Sequence, residues 1–177
     1  MSEHRQLKMI LADLSDLPPI VVPEDYEIRT YRSGDEDAWA RIMNTGVGEH
    51  WNVGKARQEL TGRPRFDPNG LFLAVSDGEP VGSACAWRSS PDETGEATVH
   101  MLCVLPEARG NNLGYVLSLH VLHYFRERGI SPVSLSTDDH RIPAIRTYLK
   151  LGFEPVYFDD SHVERWERVR RKIEASR

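Results

Sequence analysis

Cysteine is scarce in this sequence, with two cysteines, Cys85 and Cys103, among 177 residues. Each lies inside an apolar, strand-like run, which is typical of reduced, buried thiols rather than of a disulfide framework. No metal-binding spacing of cysteine and histidine accompanies them, so we expect no metal site. The fold must therefore depend on an ordinary hydrophobic core.

Long hydrophobic runs and an excess of positive charge are absent as well. No apolar run approaches the ~20 residues of a membrane span, and Glu3, His4, Arg5 and Lys8 occupy the first positions, where a signal peptide would become apolar. The formal charge of −5 argues against nucleic acid or an anionic membrane as the main partner. We therefore expect a cytoplasmic protein with neither kind of partner.

Internal repeats and low-complexity tracts are also missing. A chain of 177 residues, 40% hydrophobic and 28% charged, suits one globular domain, which we place at residues 26–157. Residues 1–25 contain Pro18, Pro19 and Pro23, which would interrupt a helix or a central strand. We therefore expect residues 1–25 to form an N-terminal extension over the domain surface.

The C-terminal residues 158–177 are polar and have helical character. Trp166, Val169 and Ile173 form a narrow apolar stripe along this predicted helix. The stripe is sufficient to contact the domain or a second subunit, which would make a homodimer. A frayed, solvated helix is the alternative.

The strand pattern predicts a mixed sheet. Asp77-Gly78 is a hairpin signal between two apolar runs, so successive antiparallel strands are expected before residue 106. A strand that follows the long helix is reached by a crossover and should run parallel to its predecessor. The predicted strands are Leu71–Val75, Val81–Trp87, Gly95–Leu105 and Val133–Thr137.

The most informative stretch runs from a strand through a tight turn into a helix. Residues 109–114 read R-G-N-N-L-G, and Asn111 or Asn112 can cap the helix that follows, which should end at Gly129. A helix start has free N–H groups and the positive end of the helix dipole, so small residues there let a phosphate approach. The alternative is that Gly110 and Gly114 only shape a turn.

A second motif follows in residues 135–155, which predict a strand end, a polar loop, a short helix and another strand. Together the two motifs resemble the GNAT superfamily of acyl-CoA-dependent N-acetyltransferases, over roughly residues 71–157. The family's pyrophosphate loop corresponds to Arg109–Gly114. Its second motif corresponds to Ala144, Ile145, Tyr148, Leu151, Gly152 and Phe153.

The resemblance implies an α/β fold, classed as α+β by some schemes. A single GNAT-like domain would have a mixed central sheet with antiparallel N-terminal strands, splayed parallel strands 4 and 5, and flanking helices. The implied function is transfer of an acetyl group from acetyl-CoA to a primary amine of a small molecule or a peptide N-terminus. Alternatives are a non-catalytic acyl-CoA-binding sensor or regulatory module, and a structural protein that binds partners through its tail helix.

The resemblance also implies the residues that contact acetyl-CoA. Two positions depart from the family pattern. Asn112 replaces a common glycine, although Asn tolerates positive φ better than most residues, and Arg141 replaces a common pantetheine-facing asparagine. Arg141 could instead meet a phosphate or be solvated. The predicted cofactor-binding residues are Leu102, Cys103, Val104, Arg109, Gly110, Asn111, Asn112, Leu113, Gly114 and Arg141.

For catalysis, the family's general acid corresponds to Tyr148, and the alternative is a tyrosine that only packs on its helix. His100 lies four residues before Val104, where an arylalkylamine branch of the family has a catalytic histidine, and Glu96 could orient it or relay the proton. Strand alternation would put Glu96, Thr98, His100, Leu102 and Val104 on one face. A half-buried structural histidine is the alternative. Asp138, Asp139 and His140 are rival proton acceptors.

The resemblance also implies that the acceptor amine meets the glycine-rich, polar region between a predicted helix, which carries Trp39 and Met43, and the strand that begins at Leu71. Glu49, His50 and Trp51 lie at its centre and are candidate acceptor contacts. In the alternative, Trp51 pins the loop to the core and His50 is solvated.

Overall fold

In the computed structural model, residues 5–89 and 96–175 are described, and within them seven strands form one sheet. The strands are β1 (Leu7–Leu11), β2 (Glu27–Thr30), β3 (Leu71–Ser76), β4 (Glu79–Arg88), β5 (Ala97–Val104), β6 (Val133–Thr137) and β7 (Glu154–Val156). Their order across the sheet is β2-β3-β4-β5-β6-β1-β7. Every neighbouring pair is antiparallel except β5 and β6. The predicted mixed sheet is confirmed.

Five α-helices accompany the sheet in the described residues: α1 (Glu36–Met43), α2 (Val53–Ala56), α3 (Leu113–Glu127), α4 (Ile142–Lys150) and α5 (Ser161–Ala175). Shorter helical turns cover Arg57–Thr61, Pro68–Gly70 and Pro106–Ala108. One hydrophobic cluster joins α1 and α2 to β3, β4 and β5, and a larger one joins α3, α4 and α5 to the sheet. The helices therefore lie in two layers, with the sheet between them.

Local sequence accounts for the β3–β4 hairpin and for the end of α3. Asp77 and Gly78 both have positive φ, 50° and 83°, as a type I′ turn requires. Gly129 ends α3 with a φ of 65°, the left-handed conformation that glycine adopts without steric cost. Both predictions are confirmed.

The N-terminal segment differs from the prediction. Residues 1–4, and Gly95 of the predicted strand Gly95–Leu105, lie outside the described residues, but β1 is a strand of the sheet between β6 and β7. Leu7 and Met9 are fully buried, and the three prolines come after the strand and do not interrupt it. The expectation of a surface extension is therefore wrong for this part of the chain.

The C-terminal helix α5 packs against its own domain. Trp166 and Val169 of the predicted stripe are each 1% exposed. The buried Arg165 side chain donates to the Asp139 carboxylate at 2.9 Å and to the Arg5 carbonyl at 2.7 Å, which ties α5 to the segments that follow β6 and precede β1. A homodimer stays a prediction.

The parallel pair β5 and β6 separates soon after it starts. The two strands pair only at Ala97 with Val133 and at Thr98 with Ser134, and beyond these positions no ladder joins them. This confirms the expected splay. None of the described helices is both long and apolar enough to cross a bilayer.

The burial of β1 predicts a large stability effect from one substitution. Met9→Ala should lower the free energy of unfolding by roughly 2–5 kcal/mol, because it leaves a cavity in the larger core. Urea denaturation followed by circular dichroism would measure the loss. Val21→Ala is the control, since Val21 is 73% exposed and its replacement should change stability by less than ~0.5 kcal/mol. Equal, small effects of the two substitutions would contradict the placement of β1.

Candidate active site

A cavity of about 730 Å³ opens where β5 and β6 separate. One wall is the end of β5, from Leu102 to Val104, and another is the loop and first turn of α3, from Ala108 to Tyr115. The start of α4 forms the opposite wall with His140, Arg141, Pro143, Ala144 and Thr147. The two sequence motifs, about thirty residues apart along the chain, therefore line the same cavity.

The loop before α3 has room for a ligand against its main chain. Gly110 has a φ of +86°, and a Cβ added at Gly110 or Gly114 would meet no atom within 4 Å. The N–H groups of Leu113 and Gly114 belong to the first turn of α3, where no helical carbonyl can accept from them. These donors and the helix dipole create a site that suits an anion.

The two asparagines of this loop play different parts. Asn112 adopts the left-handed conformation with a φ of 60°, which confirms that asparagine can occupy this position. Its side chain makes no capping hydrogen bond. Asn111 does not line the cavity, and its amide donates to the Tyr26 hydroxyl at 2.9 Å and the Ala108 carbonyl at 3.1 Å. The expected side-chain cap is therefore wrong, and Asn111 instead ties the loop to the domain.

Two arginines hydrogen-bond the main chain that lines the cavity. Arg109 donates to the Val104 carbonyl at 3.0 Å and the Thr45 carbonyl at 3.3 Å. Arg141 donates to the Leu102 carbonyl at 3.2 Å, so it joins the start of α4 to β5 across the gap. With His140 they are the basic side chains of the lining, and no Asp or Glu lies among the described lining residues.

A β-bulge changes the direction of the side chains on β5. His100 pairs with Cys85, but Cys103 pairs with Ser83, and Met101 between them has a φ of +53°. Leu102 consequently packs in the core with α3, whereas Cys103 packs on the side of α1. The predicted single face of Glu96, Thr98, His100, Leu102 and Val104 is therefore wrong, because the bulge interrupts the alternation.

Comparison with known sequences identifies the family of this chain. An acetyltransferase (GNAT) family model matches residues 30–153. The chain belongs to the GNAT acetyltransferase family. Mycothiol acetyltransferase from Thermomonospora curvata is 40% identical over 153 residues, which covers 84% of this chain and 50% of that protein. The corresponding protein from Acidothermus cellulolyticus is 36% identical over 170 residues, covering 86% and 52%. The chain thus spans about half the length of these curated relatives.

Solved structures show the same fold at lower identity. A GCN5-related N-acetyltransferase from Sphaerobacter thermophilus superimposes with a TM-score of 0.64 at 23% identity, over 86% of this chain and 50% of that one. The ribosomal-protein-S18-alanine N-acetyltransferase from Escherichia coli gives a TM-score of 0.61 at 20% identity, over 75% and 79%. These likenesses concern the fold alone.

The GNAT motif tyrosine, Tyr148, lies behind the cavity wall. It is 4% exposed, and its ring packs edge-on against Phe153 at 6.0 Å between centroids. Burial raises the pKa of Tyr148 to about 12. The preceding residue, Thr147, lines the cavity, whereas Tyr148 itself does not. Its role as general acid stays a prediction.

His100 also lies outside the cavity lining. Its ring stacks on Trp87 at 5.5 Å between centroids, and the Arg65 guanidinium lies 4.9 Å from the Trp87 ring. Burial, with a smaller effect of the Arg65 charge, lowers the pKa of His100 to about 4. At neutral pH the imidazole is therefore uncharged, and the same low pKa makes it a weak proton acceptor. Its role as base stays a prediction.

Glu96 is engaged with other strands. Its carboxylate accepts hydrogen bonds from Lys8 of β1 and from the Ser134 hydroxyl of β6, the latter at 2.7 Å. These donors lower the pKa of Glu96. Of the described hydrogen bonds of Glu96, none joins it to His100, so the expected orientation of His100 by Glu96 lacks structural support. The sequence did not reveal Lys8 because β1 was not expected in the sheet.

The rival proton acceptors differ in their surroundings. Asp139 is bound by Arg165, which lowers the pKa of the carboxyl, and Asp138 accepts from the Gln6 amide at 3.1 Å. His140 alone of the three lines the cavity. It is therefore the rival base with direct access to a ligand there.

The predicted acceptor contacts do not line the cavity. The side chains of Glu49 and His50 are 87% and 92% exposed. Trp51 packs edge-on against Trp39, with 5.1 Å between the ring centroids. This contact agrees with the alternative interpretation, in which Trp51 holds the loop against the core. Thr45 and Gly46, which the sequence did not single out, line the cavity instead. The glycine-rich run after α1 is the sequence feature that could have identified these two residues.

The depressed pKa of His100 predicts a pH-dependent stability. As pH falls from about 6.5 towards 4, the unfolded chain binds a proton at this position and the folded chain does not. Wild type should therefore lose up to ~3 kcal/mol of stability over this range from His100 alone. His100→Gln should lack that part of the loss, as judged by the difference between the urea midpoints of the two proteins from pH 7 to 4. A constant difference would contradict the depressed pKa.

Proposed function

We propose that the chain transfers an acetyl group from acetyl-CoA to a primary amine. The observation that carries the proposal is the cavity at the splay, which combines a helix N-terminus, two glycines with open Cβ positions, and basic side chains without a described carboxylate. In a protein of net charge −5, this local arrangement selects an anionic ligand.

The lining of the cavity suits the pyrophosphate and the pantetheine arm of CoA. The main chain from Gly110 to Gly114 would hold the pyrophosphate, because no Cβ obstructs it and the dipole of α3 favours negative charge. The pantetheine arm would follow β5 from Leu102 to Val104, on the edge that faces β6 and lacks a ladder partner there. The thioester supplies the activated acetyl group.

The chain's own residues would then manage protons and charge. An acceptor amine must be neutral to attack, and His100 would accept its proton through water. The low pKa of His100 makes it a weak base, and His140 is the rival that lines the cavity. Tyr148 remains protonated at working pH and would give its proton to the leaving thiolate. Burial, the larger effect, raises the pKa of Tyr148 and opposes that transfer, whereas the positive charge of Arg141 lowers the pKa and aids it.

The identity of the acceptor amine is proposed from the proteins that are similar to this chain. Proteins named mycothiol acetyltransferase are 33–40% identical to this chain, although it covers only about half of their length. An amine of mycothiol metabolism is therefore the first acceptor to test, and a peptide N-terminus is the second. A non-catalytic acyl-CoA-binding module is the alternative, favoured by the position of Tyr148 and His100 outside the cavity lining.

Turnover would test the proposal. Acetyl-CoA and a panel of amines, with mycothiol-related amines, amino acids, polyamines, aminoglycosides and N-terminal peptides, would be assayed by thiol release and by mass of the product. Acetyl transfer to one class of amine is the expected result. CoA binding without transfer to any acceptor would support the sensor, and absence of CoA binding would overturn both.

Gly114→Val should abolish most CoA binding while the fold persists. The new side chain enters open space at the start of α3 and obstructs the phosphate approach without meeting protein atoms at its Cβ. Calorimetry with free CoA should show at least a ~10-fold loss of affinity, with unchanged circular dichroism. Gly114→Ala, which adds one methyl group, should lose less. Equal affinity of wild type and Gly114→Val would place the phosphates elsewhere.

Tyr148→Phe should lower kcat by about 10²-fold and leave CoA affinity near that of wild type, because it removes a proton donor and little contact area. Stopped-flow thiol release would measure the chemical step. Tyr124→Phe is a matched control, because the Tyr124 hydroxyl donates to Asp67 and Tyr124 does not line the cavity. Full activity of Tyr148→Phe would mean that water protonates the thiolate.

A further inference from the structure

Arg141 is a cation of the cavity lining that lies outside the phosphate loop, so phosphate binding by that loop gives Arg141 no function. Arg109 binds the Val104 carbonyl beside that loop, whereas Arg141 binds the Leu102 carbonyl, two residues earlier on β5. Two residues of strand span about 6.6 Å. Arg141 therefore lies deeper along the strand, in the direction in which the acyl end of a bound donor would extend.

The charge of Arg141 has no described partner. None of the ion pairs among the described residues includes Arg141, and the described lining of its cavity contains no Asp or Glu. Its side chain is partly buried. A cation withdrawn from water without a counter-ion costs free energy, which a bound anion would offset.

The chemistry of arginine indicates which kind of anion Arg141 would bind. A guanidinium has five N–H donors, and the described hydrogen bond of Arg141 uses Nη2 towards Leu102. The remaining donors form a planar fork that matches the two oxygens of a carboxylate. Asparagine, which is common at this position in the family, has no charge and cannot neutralise one.

We propose that Arg141 enables this site to use acyl-CoA donors whose acyl group ends in a carboxylate, such as malonyl-CoA and succinyl-CoA, in addition to acetyl-CoA. The inference rests on the proposed CoA-dependent transfer. The reaction itself is the same: the amine nitrogen bonds to the thioester carbon, the carbon–sulfur bond breaks, and the thiolate takes up the proton that the amine loses. The terminal carboxylate is bound by Arg141 and does not react.

Matched donors test the proposal. Succinyl-CoA and butyryl-CoA have acyl chains of equal carbon number and differ in the terminal carboxylate, so the ratio of their kcat/KM values reports on that group. Wild type should favour succinyl-CoA. Arg141→Asn should lower the succinyl-to-butyryl ratio by at least ~10-fold, the size expected for one charge-assisted hydrogen bond. Any loss of activity that arises from the cavity wall or from Tyr148 should be the same for acetyl-CoA and butyryl-CoA, so the additional loss for succinyl-CoA isolates the contact between Arg141 and the carboxylate.

Three further measurements keep the outcome decisive. Arg141→Lys retains the charge without the fork and should lie between wild type and Arg141→Asn, and it replaces the latter if that variant fails to fold. Arg126→Asn, on the exposed part of α3, should leave the ratio unchanged.

Equal loss for all three donors in Arg141→Asn, or no succinyl transfer by a wild type that uses acetyl-CoA, would overturn the proposal. Failure of free CoA to bind wild type would instead overturn the proposed function.

Discussion

The separation of β5 from β6 is the constraint on which the site depends. Two paired positions hold the strands together at one end, and beyond them each strand presents main-chain groups that its neighbour does not bond. Polar main-chain groups tolerate burial only when they have partners. Arg141 supplies one of these partners by donating to Leu102, and the cavity leaves the rest of this edge accessible to a ligand.

Packing on both sides of the sheet keeps the gap in place. Leu102 packs with α3 on one side and Cys103 with α1 on the other, so the bulge at Met101 anchors the end of β5 in two cores at once. Arg109 links the same strand end to Thr45. Because protein interiors are densely packed, these contacts resist collapse of the cavity.

The cavity also concentrates charge of one sign. The chain has a net charge of −5, yet Arg109 and Arg141 face a space without described carboxylates. The acidic groups near the splay are occupied elsewhere, Glu96 by Lys8 and Asp139 by Arg165. This local distribution of charge favours an anionic donor, even though the net charge of the protein is negative.

Local sequence determined the parts of the protein that depend on neighbours along the chain. These parts are the hairpin at Asp77-Gly78, the left-handed Asn112 and helix α3, because turn conformation and helical periodicity are set within a few residues. Tertiary structure decided the rest. The insertion of β1, the bulge at Met101 and the bond from Lys8 to Glu96 all need a partner strand from far along the chain, and register across strands follows from packing that no short segment contains.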